Sequence, residues 1–181
     1  MDQPSTSGYS FPPFWSYPPY FTLQPVKDTR ERQSGLWCQL ILDYCRRHKI
    51  YVINTGAEFP PFNNPAINRK LQHSAIIAFL DDLVSQGNAE WLDKHKRRCL
   101  ILWRKVSDWA DTIYNFVRTY GLTDSVMVVD DLSSGDDVAG TDLAGLDRTL
   151  LLKALKLLES RGKARSFKGD TPEEEGVKFF G

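Results

Sequence analysis

The chain has 181 residues, of which 41% are hydrophobic and 25% charged, a composition that is ordinary for a globular protein of one or two domains. Lysine plus arginine and aspartate plus glutamate each total 23, so no net charge steers the molecule onto nucleic acid or an acidic membrane. The charge is uneven along the chain, because residues 1–105 carry a formal charge of +5 and residues 106–181 a charge of −5. This difference indicates two units with different surfaces.

The cysteine pattern disfavours a metal or thiol site, and the hydropathy disfavours a membrane span or a secretion signal. Cys38, Cys45 and Cys99 form no closely spaced pair, and the first two fall on one face of a predicted helix, which favours core packing over metal or thiol chemistry. No apolar run approaches the roughly 20 residues that cross a bilayer, and the N-terminus lacks the pattern of a secretion signal. We expect a cytoplasmic protein without a cofactor, a metal or a catalytic constellation.

Two proline pairs followed by aromatic residues lie within residues 1–26. They are Pro12-Pro13-Phe14-Trp15 and Pro18-Pro19-Tyr20-Phe21. A proline pair holds φ near the polyproline II value and removes two backbone donors, so we predict an extended, flexible arm whose rings dock at little cost in entropy. All eight residues are predicted to bind a partner. The alternative is a tail whose aromatic side chains fold back onto their own domain.

Residues 27–105 predict a first domain. Apolar residues at three- and four-residue spacing indicate a helix from Lys27 to about His48, with a cap at Asp28 or Thr29. The later elements follow in chain order: a strand at 51–53, a loop at 58–65, a short helical segment at 66–70, a helix at 75–85 capped by Ser74, and strands at 89–92 and 99–103 around a basic turn at 93–98. This order is typical of a winged helix.

Residues 106–181 repeat this order, which is the strongest architectural signal in the sequence. At an offset of 75 residues, Leu155 matches Leu80 and Gly162 matches Gly87. The predicted elements are a helix at 109–120, a strand at 125–129, an acidic surface loop at 130–146 with one helical turn, a helix at 146–161, and a hairpin of 163–167 with 177–180. We predict an α+β, mainly helical chain of two tandem winged-helix domains preceded by the proline-aromatic N-terminal arm.

The winged-helix order also suggests nucleic-acid binding. The last predicted helix carries Arg148, Lys153 and Lys156 as candidate contacts. The matching helix of the first domain has no lysine or arginine and contains two aspartates, which disfavours contact with phosphate. A winged-helix nucleic-acid-binding regulator is therefore the alternative function. The basic turn 93–98 either meets anionic lipid or is a soluble charged turn.

Seven segments between residues 18 and 180 carry a family resemblance. They are Pro18-Pro-Tyr-Phe-Thr-Leu-Gln-Pro25, Phe62-Asn-Asn64, Gly87-Asn-Ala-Glu-Trp-Leu-Asp-Lys94, Leu102-Trp-Arg104, Gly145-Leu-Asp147, Thr149-Leu-Leu151 and Gly176-Val-Lys-Phe-Phe180. Together they resemble the vacuolar protein sorting 25 family, which supplies the small subunit of ESCRT-II complexes. The second proline motif fits the family's Pro-Pro-x-Phe pattern, whereas the first departs from it at Trp15.

The resemblance implies a non-enzymatic adaptor. In the family, the arm and the first winged helix dock onto the larger ESCRT-II subunits, with two copies of the small subunit per complex. The second winged helix engages the first-acting ESCRT-III subunit, in the sorting of ubiquitinated cargo to multivesicular bodies. The resemblance also implies a cytoplasmic protein that reaches the endosomal membrane through its partners. We expect Phe21→Ala, alone or with Trp15→Ala, to weaken assembly and to leave the melting of the free chain unchanged.

Overall fold

The structure, a computed structural model, describes residues 8–181. These residues form two compact units, and the first ends at Trp103, close to the domain boundary predicted after Lys105. Residues 1–7 of the predicted arm lie outside the described residues. Each unit combines helices with a three-stranded antiparallel sheet. The predicted α+β class and the winged-helix order are therefore confirmed.

The first unit contains a winged helix and a small additional ribbon. Its helices are α1 (Lys27–His48) and α2 (His73–Ser85), and its strands are β1 (Val52–Asn54), β2 (Asn63–Asn64), β3 (Arg69–Lys70), β4 (Ala89–Trp91) and β5 (Arg98–Ile101). The main sheet has the order β1-β5-β4, so the C-terminal strand β5 lies in the centre. Leu100 of β5 is opposite both Val52 and Glu90. β2 and β3 pair only with each other.

The core of the first unit forms where the apolar faces of α1 and α2 meet. Trp37 and Ile41 of α1 and Phe79 and Leu83 of α2 are fully buried. Residues four apart lie on the same side of a helix, which is why each pair points into the core. The rings of Trp37 and Phe79 stack with their centroids 5.8 Å apart. This stacked pair is the centre to which the N-terminal segment also attaches.

The caps of two helices differ from the prediction. α1 begins at Lys27 as predicted, but the Arg30 N–H bonds to the Val26 carbonyl, so neither Asp28 nor Thr29 caps the helix. α2 begins before Ser74, after Gln72, which makes no side-chain capping bond. The short helical segment predicted at 66–70 is a 3-10 turn, Pro65–Ile67, followed by strand β3. The Asn64 side chain caps the start of this turn by accepting from the Ala66 N–H, and Asn68, with a φ of 53°, ends it.

The second unit repeats the topology of the first. Its elements are α3 (Val106–Thr119), β6 (Val126–Val128), α4 (Asp131–Ser134), α5 (Arg148–Ser160), β7 (Ala164–Phe167) and β8 (Gly176–Phe179). The sheet order is β6-β8-β7, again with the last strand in the centre. Both ends of α5 lie at the predicted offset of 75 residues from those of α2. The glycines matched by the repeat, Gly87 and Gly162, have φ values of 78° and 70°, a conformation that terminates helices.

The acidic loop 130–146 is more ordered than predicted. It contains the predicted helical turn, α4, and also a 3-10 turn at Asp136–Val138. Four apolar side chains between the aspartates are buried in the unit: Leu132, Val138, Leu143 and Leu146. Their burial fixes a segment whose overall composition is polar, because hydrophobic anchors at intervals are enough to hold the polar residues between them in place.

The cysteines and the helices bear on the predictions about chemistry and membranes. Cys38, Cys45 and Cys99 are buried, as core packing predicts. Burial raises the pKa of the Cys38 thiol to about 11 and that of Cys99 to about 12, so both are protonated at neutral pH. Among residues 8–181, no group of three or more potential ligands is placed to hold a metal ion. No helix of that range is long and apolar enough to cross a bilayer.

The N-terminal segment differs most from its prediction. Residues 8–26 belong to the first unit and pack against its core, so the predicted extended, flexible arm is wrong for these residues. Each proline pair begins a 3-10 turn rather than a polyproline II stretch. A φ near −65° is common to both conformations, so proline alone does not choose between them, and tertiary contacts set ψ. The structure supports the alternative in which the aromatic side chains fold back onto their own domain.

Candidate partner-docking surface

The two proline motifs form consecutive 3-10 turns, Pro13–Ser16 and Pro18–Phe21. Proline suits the start of such a turn because the first N–H needs no partner there and the ring already supplies the required φ. Tyr17 joins the turns. Its N–H bonds to the Phe14 carbonyl at 2.9 Å, and its own carbonyl accepts from the Tyr20 N–H at 3.1 Å. The motifs are therefore one continuous structure rather than two separate anchors.

The second turn is held by the ring of Phe21, which enters the core. Phe21 is only 2% exposed, and its ring meets that of Trp37 edge to face with centroids 5.3 Å apart. The Trp37 indole N–H also donates to the Tyr20 carbonyl at 2.8 Å. One tryptophan of α1 thus binds the turn through both its ring and its donor. The Phe21 side chain is a core residue of the first unit in this arrangement.

A buried glutamine fixes the backbone after the second turn. Gln33 of α1 is 1% exposed. Its amide nitrogen donates to the carbonyls of Tyr20 at 3.0 Å and Thr22 at 2.8 Å, and its oxygen accepts from the Gln24 N–H at 3.0 Å. These three bonds use most of what a glutamine side chain offers, which explains why a polar group is tolerated in the core.

Gln33→Met is expected to lower the free energy of unfolding of the first unit by about 1–3 kcal/mol. Methionine has nearly the same length as glutamine but cannot replace its hydrogen bonds to the Gln24 N–H and to the carbonyls of Tyr20 and Thr22. Urea unfolding followed by tryptophan fluorescence measures the change. Gln39→Met, at an exposed position of the same helix, is the matched control and should leave the midpoint unchanged. Equal midpoints for both variants would contradict the role of Gln33.

The first turn is attached through Trp15. Its indole N–H donates to the Pro61 carbonyl at 2.7 Å, and the side-chain amide of the buried Asn64 donates to the Trp15 carbonyl at 2.8 Å. The Trp15 ring also stacks on the Phe11 ring, with centroids 3.7 Å apart. Both residues belong to the segment between β1 and α2, Pro61 to a 3-10 turn and Asn64 to β2. Tryptophan at this position therefore has a structural role within the unit.

The exposed side of both turns presents two prolines and the ring of Tyr17, flanked by two half-buried rings. Tyr17 is 58% exposed. The Tyr20 ring lies between its neighbours, with centroids 5.4 Å from Phe14 and 5.7 Å from Tyr17. We call this set the proline-aromatic surface: Pro13, Phe14, Tyr17, Pro19 and Tyr20, of which the prolines and Tyr17 are exposed and the other two rings are half-buried. An exposed cluster of rings on a rigid backbone is typical of a protein-docking site.

The structure thus divides the eight predicted site residues. Pro13, Phe14, Pro19 and Tyr20 lie on the proline-aromatic surface, and the half-buried Phe14 ring also meets Trp37 edge to face with centroids 5.3 Å apart. The side chains of Trp15 and Phe21 are turned toward their own unit, and Pro12 and Pro18, both half-buried, start the turns.

Tyr17 was missed by the motif-based prediction because it lies between the two Pro-Pro-aromatic groups. The signal was present as a three-residue spacing, since Phe14, Tyr17 and Tyr20 fall three apart. A 3-10 helix has three residues per turn, so side chains at that spacing share one face. Polyproline II has the same period, and the spacing would therefore have placed Tyr17 with its neighbours in either conformation.

One of the three cations proposed for nucleic-acid contact, Arg148, is engaged within the second unit. It forms ion pairs with Asp130 and with Glu175, the latter at 3.4 Å, and Arg161, just after the same helix, pairs with Asp111 at 3.0 Å. Paired guanidinium groups contribute little to a field that attracts phosphate. The geometry does not favour the alternative function.

The basic turn between β4 and β5 is ordered by one carboxylate of its own and one of α2. Asp93 accepts hydrogen bonds from three backbone N–H groups, those of His95, Arg97 and Arg98. These bonds, that of Arg98 first, hold the pKa of Asp93 below its usual value. The Lys96 ammonium pairs with Asp81 of α2 at 2.8 Å. These contacts favour the soluble charged turn over a lipid-binding one.

Comparison with known proteins gives consistent results. A family model described as an ESCRT-II complex subunit matches residues 8–147. Vacuolar protein sorting-associated protein 25 of Arabidopsis thaliana is 55% identical over 94% of this chain and 96% of its own length. The protein of the same name from Danio rerio is 42% identical over 95% and 99%.

Solved structures agree with the sequence matches. The crystal structure of subunit VPS25 of the endosomal trafficking complex ESCRT-II covers 93% of this chain and 98% of its own, with a TM-score of 0.83 and 26% identity. A chain in the crystal structure of ESCRT-II (VPS22/VPS25/VPS36) gives a TM-score of 0.80 with the same coverage and identity. The chain therefore belongs to the VPS25 family of ESCRT-II subunits, which are structural components of an endosomal sorting complex and not enzymes.

Proposed function

We propose that this ESCRT-II subunit is an adaptor whose two units bind different partners. The first unit docks onto the larger subunits, the counterparts of VPS22 and VPS36 in the solved complex, through the proline-aromatic surface. The second unit engages the first-acting ESCRT-III subunit. Two copies of the chain per complex, drawn from the cytoplasm to the endosomal membrane by their partners, then serve the sorting of ubiquitinated cargo into multivesicular bodies.

The proposed docking of the first unit rests on the exposure of Tyr17. Its backbone is already fixed by contacts within the first unit. Gln33, Trp37 and Asn64 bind the carbonyls of the two turns, so little backbone order remains to be gained on docking. Preorganisation of this kind raises affinity because the entropy cost has been met before the partner arrives. Burial of each ring contributes about 1.5–3 kcal/mol.

The division into two units supports the separation of the two roles. The first unit has a core that includes Trp37 and Phe79, and the second has its own buried set around Trp109, Ile113 and Leu151. Their formal charges also differ in sign, with residues 1–103 at +3 and residues 104–181 at −3. Surfaces of opposite charge suit different partners.

A chain that ends at Trp103 is expected to co-purify with the larger subunits as well as the full chain does, and to lose the pull-down of the ESCRT-III subunit. The reason is that the proline-aromatic surface and its supports all lie before the cut. Co-expression with affinity-tagged larger subunits measures assembly, and a pull-down with purified ESCRT-III subunit measures recruitment. Circular dichroism of the shortened chain confirms that it folds.

Two results would contradict the proposal. Loss of assembly by a folded, shortened chain would show that the second unit is also needed for docking. Undiminished recruitment of the ESCRT-III subunit by a complex that contains the shortened chain would remove the proposed role of the second unit.

A further inference from the structure

Several cations of the second unit have no carboxylate partner. They are Arg118 near the end of α3, Lys163 just before β7, Arg165 of β7 and Lys178 of β8. No ion pair within residues 8–181 includes any of them, whereas Arg104, Arg148 and Arg161 of the same unit are each paired with a carboxylate. The first three are exposed and Lys178 is half-buried. Their charges therefore remain available to an anion.

Two of these cations meet at one tyrosine ring. Arg118 and Lys163 both lie over the ring of Tyr114, at 6.0 and 5.5 Å from its centroid. The Tyr114 hydroxyl donates to the Phe180 carbonyl at 2.6 Å, and the Phe180 N–H donates to the Lys163 carbonyl at 2.9 Å. Helix α3 and the two strands are thus joined at this point, and the two cations lie side by side.

The other two cations continue the same row on the sheet. Arg165 is directly opposite Lys178, and side chains two apart on a strand share a face, so Lys178 lies on the side of Phe180 and Arg165 on the side of Phe167. Each cation lies near the ring on its own strand, Lys178 at 5.8 Å from the Phe180 centroid and Arg165 at 5.6 Å from that of Phe167. We call the whole set the cation-aromatic strip: Arg118, Lys163, Arg165 and Lys178 with Tyr114, Phe167 and Phe180.

The rings and the strand register prepare the strip for a negatively charged surface. A cation held over a ring has already lost part of its freedom, so less order remains to be gained when an anion binds. Like charges that face each other across strands, as those of Arg165 and Lys178 do, are unfavourable, and an anion between them removes that cost.

Carboxylates are concentrated in another segment of the unit. Residues 119–147 contain seven aspartates and no lysine or arginine. Two carboxylates border the strip: that of Asp124, whose N–H bonds to the Phe179 carbonyl, and that of Glu159, which accepts from the Ser166 N–H. In the part of the chain that the structure describes, neither pairs with a cation of the strip. The net charge of −3 on residues 104–181 is thus unevenly distributed, and attraction to an anionic surface depends on how the unit is oriented.

We propose that the cation-aromatic strip contacts the anionic headgroups of the membrane on which the complex works. Two apolar side chains on the same face, Phe167 at 40% exposure and Val126 at 65%, would reach the boundary between headgroups and acyl chains. Tyr114 and Phe180, which are half-buried, would lie at headgroup level. The proposal goes beyond the proposed function, in which partners alone bring the chain to the membrane.

The arrangement of the rings disfavours a nucleic acid. Single-stranded nucleic acids stack their bases on open aromatic faces. In the strip the cations lie over the rings of Tyr114, Phe167 and Phe180, in the place that a stacked base would take. Among anionic partners, a membrane is also the one that every subunit of an endosomal sorting complex approaches.

The test is flotation of the full free chain with phosphatidylcholine vesicles that contain or lack phosphatidylserine. The wild-type chain should float with the anionic vesicles alone, and less so as salt is added, because salt screens the attraction. Arg118→Ser with Lys163→Ser, and separately Arg165→Ser with Lys178→Ser, should each lower the partition coefficient roughly tenfold or more.

The matched control is Lys156→Ser with Lys168→Ser. It removes two exposed cations of the same unit that lie outside the strip, so the net charge changes by the same amount. Its binding should stay within about twofold of the wild-type value. Circular dichroism checks the fold of each variant. If the variant that includes the half-buried Lys178 loses its fold, the variant of the exposed Arg118 and Lys163 decides the test.

Three outcomes would overturn the proposal. The first is a wild-type chain that fails to bind anionic vesicles at low salt. The second is an equal loss of binding in the control and in the strip variants, since net charge alone would then explain the attraction. The third is binding to single-stranded RNA or to polyglutamate, but not to vesicles, that the strip variants lose. That result would assign the strip to a nucleic acid or to an acidic protein.

Discussion

Phe21→Ala is expected to lower the free energy of unfolding of the first unit by about 3–5 kcal/mol, the range for removal of a buried phenylalanine ring. The ring is 2% exposed and meets Trp37 edge to face. Its loss leaves a cavity beside the Trp37–Phe79 stack and removes the aromatic contact. This result replaces the expectation, drawn from sequence alone, that the variant melts like the wild-type chain.

Denaturant unfolding of the free chain, followed by tryptophan fluorescence, measures this loss. Phe21→Leu is the graded control, because leucine keeps most of the apolar volume and should cost less than the alanine variant. Phe21→Ala is also expected to weaken assembly, since the second turn would no longer be held in place. Weak assembly of this variant therefore does not assign the ring to a partner. A wild-type unfolding midpoint would show that the segment does not depend on Phe21 for its attachment.

Tyr17→Ala with Tyr20→Ala is expected to weaken binding to the larger ESCRT-II subunits by roughly two to four orders of magnitude. Two rings at about 1.5–3 kcal/mol each account for this range, because each 1.4 kcal/mol changes the dissociation constant tenfold. The ring contacts of both tyrosines lie within the proline-aromatic surface, so the stability of the free chain should change little. Co-purification and titration calorimetry with the larger subunits measure the effect.

The chain offers a matched control in Tyr120→Ala. Tyr120 is 54% exposed, close to the 58% of Tyr17, but belongs to the second unit. It should leave assembly unchanged. Wild-type assembly by the Tyr17 and Tyr20 double variant would move the docking site away from the proline-aromatic surface, whatever the stability of that variant.

Much of the fold was predictable because its signals are local. The period of the apolar residues placed α1 at Lys27–His48, and the offset of 75 residues paired α5 with α2. Apolar side chains spaced by one helical turn must share a face, so their spacing alone predicts the helix. The acidic loop was less predictable, since its aspartates dominate the composition while a few buried residues such as Leu132 and Leu143 determine its order.

The proline-aromatic segment could be found in the sequence, but the directions of its side chains could not. Both proline motifs were predicted from their composition to be a docking segment, and this stays a prediction. The sequence did not show that Phe21 is buried while Tyr20 stays half-exposed, because both rings follow the same proline pair. Their directions depend on hydrogen-bond partners far along the chain.

The sequence by itself therefore determined the two repeated units, the family and the existence of a proline-aromatic segment, since each of these follows from the spacing or the type of residues. Tertiary contacts determined that the segment is folded and which side of it remains open. Gln33 and Trp37 bind the second turn from α1, and Pro61 and Asn64 bind the first from the segment between β1 and α2, at separations of 11 to 49 residues. A proline fixes φ, but only these distant groups decide ψ and the face that a partner can meet.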